Sequence, residues 1–375
     1  MKKLILVFLI LLNINVGYCA DYSKIDKQSG TVPSSMKTAG EIAHYLTQNL
    51  SSPTDKTRAI YYWISHNIRY NLAKLNSTKV YTNTKEIVDE TLQNRQGVCQ
   101  NYAELFHACC ESIGIKSYVI SGYTNQKGEL ANYGHAWNAV LIDAKYYEID
   151  VTWAAGHIEN GKYKHEFNDE YFLVSPAEFI KTHIPFDPIW QFSNNPITHK
   201  EFEKSDFSKL KTSSNFNFKD SIKVLSGLNP LEKAIRENRR ITQFGLTNTL
   251  IRKQVYYNQQ LIISEKYNLA VDLFNKGVAE YNNYMMYKNK QFKNTSMPDE
   301  QILGFLSSAR QQVESAESLL NFLNSDNSDL NRMTRDMQSS IYKMKKDLQK
   351  EDAFMIKYIK TPKAFRIFLF VTVRQ

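Results

Sequence analysis

The segment GVCQNYAELFHACCESIGI, residues 97–115, holds three of the chain's four cysteines. A thiol in a folded chain pairs in a disulfide, ligates a metal, attacks an electrophile or packs as a small apolar group. On a helix starting near Cys99, Cys99 and Cys110 lie about 16 Å apart at the helical rise, too far for a bridge. Cys109 and Cys110 are adjacent, and a bond between neighbours would be strained. No metal set is visible: the thiols share one helix without ligand spacing, and His157 and His165 lack acidic or thiol companions at suitable intervals. Cys109 and Cys110 fall in a stripe with Ala103, Phe106 and Ile113, where free cysteine behaves as a small hydrophobe. Cys99 is left as the nucleophile.

The start of a helix suits that task. Unpaired backbone N–H groups and the positive end of the helix dipole activate a sulfur there, and the same N–H groups can hold a developing oxyanion. Gly97 reads as a tight turn into the helix. An activated thiol also needs a base and a group to orient it. The strands HAWNAVLI and KYYEIDVTW flank Asp143-Ala144, a two-residue turn. Pairing Ile142 with Lys145 sets Trp137 opposite Asp150 and His135 opposite Thr152. His135 and Asp150 are then diagonal neighbours on one face, roughly 7–8 Å apart at Cβ. A slip of one residue would separate them. Cys99, His135 and Asp150 thus form a candidate nucleophile, base and orienting acid. Trp137 and Trp153 flank the last two and are candidates to line a substrate groove, with core packing as the alternative.

Three blocks, GVCQNYAELF, GHAWNAVLIDAKYYEIDVTW and EFIKTHIPFDPIWQF, resemble in the same order those of the transglutaminase-like cysteine-enzyme superfamily, in its kyphoscoliosis-peptidase-type branch. The resemblance spans roughly residues 35–192. It implies a papain-like α+β fold, with an antiparallel sheet packed on the helix that carries the cysteine. It also implies the nucleophile at Cys99, the base at His135 and the orienting acid at Asp150; no cofactor is expected, since the residues show neither metal-ligand spacing nor a phosphate-binding loop. Gln100-Asn101 stand where relatives often carry a small or glycine-containing pair, and are expected to reshape the mouth of the site. No residue matches a side-chain oxyanion donor, so that role falls to backbone amides.

The elements that must position these residues are legible from periodicity. Ile42, Tyr45, Leu46 and Leu50 make one helical stripe, Ser52-Pro53 interrupts it, and Ile60, Trp63, Ile64 and Ile68 continue at helical spacing. Residues 71–84 read as a loop, and a second helical stretch runs from about Thr84 into the cysteine segment. After Gly114 the period changes to two in KSYVISGY, HAWNAVLI and KYYEIDVTW. Helices followed by antiparallel strands make residues 21–200 an α+β domain. Residues 201–229 read as a linker or short hairpin, and 230–375 as an all-α region. There, Ile302, Leu306, Ala309, Val313, Ala316, Leu320 and Leu323 alternate by four and three, and Leu330, Met333, Met337, Ile341, Met344 and Leu348 nearly repeat them. Such coiled-coil-like seams, with SDNSD as the turn between them, predict a helical hairpin or small bundle.

Composition narrows the function classes. The chain has 375 residues and a formal charge of +9, with hydrophobic residues at 42%, enough for two folded domains. Its basic residues are dispersed and no groove-reading motif is present, so no nucleic-acid partner is expected. Glycine-rich phosphate or dinucleotide loops are missing. MKKLILVFLILLNINVGYCA reads as a signal peptide cleaved after Cys19 or Ala20, which predicts an exported protein, secreted or periplasmic. Cys19 as a lipid anchor is the lesser alternative, because Tyr18 precedes it. IFLFVTV near the C-terminus is too short to span a bilayer.

Two functions follow. One is an exported thiol enzyme acting on protein amide bonds through a thioester, as a peptidase or deamidase when water accepts the acyl group and a transglutaminase when an amine does; the resemblance favours the peptidase. The other is a non-catalytic binding module on the same fold, with the helical region as its partner surface.

Overall fold

A computed structural model describes residues 21–75, 83–126, 128–211, 216–293 and 297–370. The leader at residues 1–20, with Cys19, lies outside them, as do residues 76–82 of the loop read at 71–84. The chain divides into two compact units. One runs to Pro185 and includes Trp190–Ser193; the other takes Phe186–Ile189 and the chain from Asn194 onward.

The first unit begins with α1 (Ser23–Ser29), α2 (Ala39–Thr47) and α3 (Pro53–Asn67). Thr38 and Glu41 form a capping box on α2, while Ser52 caps α3 with Pro53 in its first turn. A serine cap and a proline that donates no hydrogen bond explain why the stripe breaks at Ser52-Pro53 and restarts at once. A two-residue strand β1 (Arg69–Tyr70), helix α4 (Thr84–Asn94) and strand β2 (Gln96–Gly97) lead to α5 (Cys99–Ser112). β1 and β2 pair in parallel with Tyr70 opposite Gly97. Tyr102, Ala103, Leu105, Phe106, Cys109 and Cys110 of α5 are all buried. A helix apolar around so much of its circumference has to be covered on more than one side. Helices α2, α3 and α4 cover one part of it, and the strands β3 (Ser117–Gln126) and β5 (His135–Ile142) another.

The sheet is antiparallel. β3 pairs with β5, with the short β4 (Glu129–Leu130) and with β9 (His183–Pro185); β5 pairs in turn with β6 (Lys145–Ile149). Asp143 and Ala144 both hold left-handed backbone, φ 49° and 59°, as a two-residue hairpin turn of this hand requires. Ile142 lies opposite Lys145 and the ladder runs to Asn138 opposite Ile149, the register expected from the turn.

KYYEIDVTW is not a strand throughout. Ile149 is its last ladder residue, and Asp150 caps the short helix α6 (Val151–Ala155) by accepting the Thr152 and Trp153 amides. Trp137 therefore does not pair with Asp150, nor His135 with Thr152. Opposite His135 stands Gly122 of β3, and Gly122 also faces Pro185 of β9. A Cβ on Gly122 would fall 2.1 Å from the Ile184 carbonyl oxygen and 2.5 Å from the Trp137 ring. Only glycine admits both neighbours so closely.

A hairpin of β7 (Gly156–Glu159) and β8 (Lys162–His165) and the one-turn α7 (Pro176–Phe179) complete the unit. On α3, buried Arg58 pairs with Asp26 at 2.6 Å and with Asp169, and lies over the Tyr22 and Phe172 rings. That knot ties α3 to the segment preceding Tyr171.

The second unit is helical: α8 (His199–Glu203), α9 (Phe218–Leu225), α10 (Pro230–Phe244), α11 (Thr249–Asn289), α12 (Asp299–Leu320) and α13 (Ser328–Lys360). No strand occurs among the described residues of 201–229. The hairpin read there is α9, whose Phe218 and Ile222 are buried one turn apart. The α12 seam is buried from Ile302 to Leu320. On α13, Ile341, Met344 and Leu348 are buried, but Met333 is 45% exposed and Thr334 takes the inward position. Thr334, Ile341, Leu348 and Met355 are buried at intervals of seven, so the heptad repeat of the second seam runs through Thr334 and not through Met333.

Candidate active site

Each candidate residue is placed by a different element. Cys99 is the first residue of α5. The start of that helix is held by Asn101, whose Oδ1 accepts the Val98 amide at 3.0 Å while its Nδ2 donates to the Thr91 hydroxyl at 2.8 Å. Gly97 belongs to β2 and is no turn; a Cβ there would lie 2.3 Å from the Asn101 Cβ. Asn101 is buried, so it fixes the site from beneath and does not reshape its mouth.

His135 opens β5 and its Nε2 donates to Asp150 Oδ2 at 2.6 Å. Asp150 is fully buried, and its other oxygen accepts the amides of Thr152 at 2.8 Å and Trp153 at 3.0 Å. With Nε2 committed to the carboxylate, Nδ1 of the same ring is the atom free for a thiol. Burial works to lower the His135 pKa, but the Asp150 charge and hydrogen bond outweigh it. Hydrogen bonding and charge from the Cys99 side chain add to the rise, and the group is pushed up to about 10. Burial would raise the Asp150 pKa, yet the His135 and His183 rings hold its carboxyl well below the usual range. The pair is therefore built as imidazolium and carboxylate.

The fold adds a residue that sequence reading missed. His183, on β9, is fully buried, and its Nε2 donates to the same Asp150 oxygen at 3.2 Å. Its Nδ1 takes the Thr182 hydroxyl at 2.8 Å, and its ring stacks on Phe179 with centroids 4.1 Å apart. Burial lowers its pKa to about 4 against the pull of Asp150, so the ring stays neutral at ordinary pH. The signal was in EFIKTHIPFDPIWQF, whose histidine had no visible partner in the linear text. No metal set was expected, yet the ligand-type atoms of His135, Asp150 and His183 lie within 4.8 Å of one another. In the fold both ring nitrogens converge on the carboxylate as hydrogen bonds.

The two tryptophans part company. Trp137 is 1% exposed and its Nε1 donates to buried Glu148 at 3.0 Å, so it packs the core and lines no groove. Burial raises the Glu148 pKa far above its ordinary value and the indole N–H only partly offsets this, so Glu148 is neutral. Trp153 is half-buried and lies against His135 and His183, ring centroids 5.6 Å and 4.3 Å away. It lines a cavity of about 390 Å³ with His135, Tyr70, Tyr163 and Tyr171. Tyr70 reaches this place because β1 sets it opposite Gly97, two residues before Cys99. Burial raises its phenol pKa, Cys99 and Asp150 raise it further and the Cys99 backbone amide opposes them; Tyr70 keeps its proton. Cys109 and Cys110 are free and buried. Burial pushes the Cys109 thiol up to about 12, and burial, with the charges of Cys109 and Glu111 behind it, raises the Cys110 thiol well above its ordinary value.

Residues 40–151 match the family model of the transglutaminase-like superfamily. The chain carries a transglutaminase-like domain. It is 30% identical over 200 residues to the Kyphoscoliosis peptidase of Mus musculus, a match covering 50% of this chain and 29% of that protein. It is 27% identical over 181 residues to cytokinesis protein 3 of Schizosaccharomyces pombe, covering 46% of this chain and 20% of that one. The matched region thus spans under a third of either relative. A solved structure of a TGase, 21% identical, covers 43% of this chain and 38% of its own with a TM-score of 0.25. The fold assignment rests on the family model and on the helix-and-sheet topology.

Proposed function

We propose that the transglutaminase-like domain is a thiol enzyme acting on protein amide bonds. The observation that carries this is the 2.6 Å bond from His135 Nε2 to the buried Asp150 carboxylate, beside a cysteine at the start of α5. In this reading His135 Nδ1 already holds the proton taken from Cys99, and Sγ attacks the amide carbonyl carbon. The oxyanion is met by the Cys99 amide, and by Tyr70, which as a protonated phenol has an O–H to donate. The imidazolium returns the proton to the departing amine, leaving a thioester on Cys99. Water then releases the acid, which makes the enzyme a peptidase or deamidase; an amine acceptor in place of water makes it a transglutaminase. The resemblance to peptidase-type relatives favours water. Asp150 holds the imidazole tautomer throughout, and His183 holds Asp150.

The leader MKKLILVFLILLNINVGYCA supports export, so the substrates are proteins of the envelope or the exterior. The test is mass spectrometry of envelope proteins treated with wild type and with Cys99→Ala. Cleavage, deamidation and cross-linking each leave a different mass change, and Cys99→Ala abolishes whichever occurs. A binding module on the same fold would leave every mass unchanged and would show no selective alkylation of Cys99 over Cys109 and Cys110.

A further inference from the structure

The charge of this chain is less evenly spread than its total suggests. Residues 353–375, AFMIKYIKTPKAFRIFLFVTVRQ, contain Lys357, Lys360, Lys363, Arg366 and Arg374 and no acidic residue. Five positives against a formal total of +9 stand in this one stretch. Its described part, the end of α13 and the 3₁₀ helix Lys363–Phe370, belongs to the second unit.

The 3₁₀ helix is two-faced. With three residues per turn, residues three apart eclipse, so Phe365 and Phe368 form one stripe. They are 59% and 66% exposed, their rings stacked at 6.5 Å. The other stripes hold the helix down. Phe370 packs on Phe354 and Phe292 at 5.3 Å and 5.9 Å, and Leu369 joins the same core. Arg366 bonds Asp299 at 2.8 Å and lies 4.5 Å over the Tyr358 ring. Just before it, the last turns of α13 leave Ile356 and Ile359 56% and 40% exposed beside the exposed Lys357 and Lys360. A core-packing role would bury these apolar side chains. A purely solvated face would not need them.

We propose that this end of the helical unit docks on an anionic lipid bilayer, with Phe365 and Phe368 entering the headgroup boundary and Lys357, Lys360 and Lys363 meeting lipid phosphates. Exposed aromatics interleaved with lysines, on a stretch with no acidic residue of its own and with the neighbouring Asp299 paired to Arg366, match such a surface in charge as well as apolarity. A protein groove of matching apolarity would still have to supply several acidic groups around the rings; an anionic bilayer presents both at once. The stretch lies on the membrane and does not cross it: among the described residues no helix is long and apolar enough to do so. The proposal is independent of the thiol chemistry.

The test is co-sedimentation of the full chain with two sets of vesicles, phosphatidylcholine alone and phosphatidylcholine with an equal part of phosphatidylglycerol. Wild type should sediment with the anionic vesicles and not with the neutral ones, and release as salt rises. Each lysine near an anionic surface is worth roughly fivefold in binding, so Lys357→Gln, Lys360→Gln and Lys363→Gln together should cost on the order of 10²-fold. Phe365→Ser with Phe368→Ser should cost at least about tenfold, with circular dichroism unchanged because both rings are already exposed. Equal binding to neutral vesicles, or indifference to the Phe365→Ser, Phe368→Ser pair, overturns the proposal. So does a concentration-dependent dimer that this pair abolishes while vesicle binding stays absent, since the face would then be a contact between copies.

Discussion

Asp150→Asn isolates one function of a residue with several bonds. Its Oδ1 position accepts two backbone amides, from Thr152 and Trp153, and must remain a carbonyl oxygen. The amide NH₂ is therefore forced to the Oδ2 position, where Nε2–H groups of His135 and His183 now point. Two donors cannot face a third, so both rings must move their protons to Nδ1. For His135 this puts an N–H toward Cys99 in place of the lone pair that takes the thiol proton. Asparagine caps helices as well as aspartate does, so α6 and the fold should persist. The charge that lifts His135 to about 10 against its burial is lost as well. Imidazolium should then disappear as pH rises near or below the ordinary histidine value of 6.5, where wild type keeps it until about 10. In a serine protease the analogous change costs about 10⁴ in turnover. A thiol activated by its helix start depends less on the acid, which leaves on the order of 10². The assay requires no substrate: the rate of iodoacetamide alkylation at Cys99, followed by peptide mass from pH 5 to 10. A variant that alkylates at the wild-type rate across neutral pH, with the wild-type profile, would refute the reasoning.

Other substitutions address single claims. Cys109→Ala with Cys110→Ala should lower stability by roughly 1–3 kcal/mol, measured by denaturant midpoint, and leave turnover per folded molecule unchanged. Tyr70→Phe should reduce turnover about 10- to 10²-fold with little change in KM, the pattern of a donor used only in the transition state. His183→Gln tests the second ring through pH. The folded ring titrates near 4 against 6.5 unfolded, so the unfolded state binds the proton first. Wild type should thus lose about 3 kcal/mol as pH falls from 6.5 to 4, and the variant should lose correspondingly less. All four tryptophans, Trp63, Trp137, Trp153 and Trp190, lie in the first unit, so their fluorescence reports its melting alone.

Much of this protein is written in short-range chemistry. The break at Ser52-Pro53, the start of α5 at Cys99 and the hairpin at Asp143-Ala144 depend on caps, a missing N–H and left-handed turn residues, all within a few positions of one another. The register of β5 against β6 follows from its turn, and the burial of Cys109 and Cys110 from helical spacing. What the linear text could not supply depends on contacts between distant segments. His183 is 48 residues from His135 and sits on a three-residue strand too short to show a period; it meets Asp150 only because β9 pairs with β3 across Gly122. Tyr70 comes beside Cys99 through a parallel bridge of two residues. Strand period could not show that the chain leaves β6 at Ile149, since it is the carboxylate of Asp150, capping α6, that ends the ladder there. Trp137 and Trp153 look alike in sequence, but one faces the neutral Glu148 in the core and the other the cavity beside His135. Local propensity sets the elements and their registers. Only tertiary pairing decided which side chains of different elements share the carboxylate.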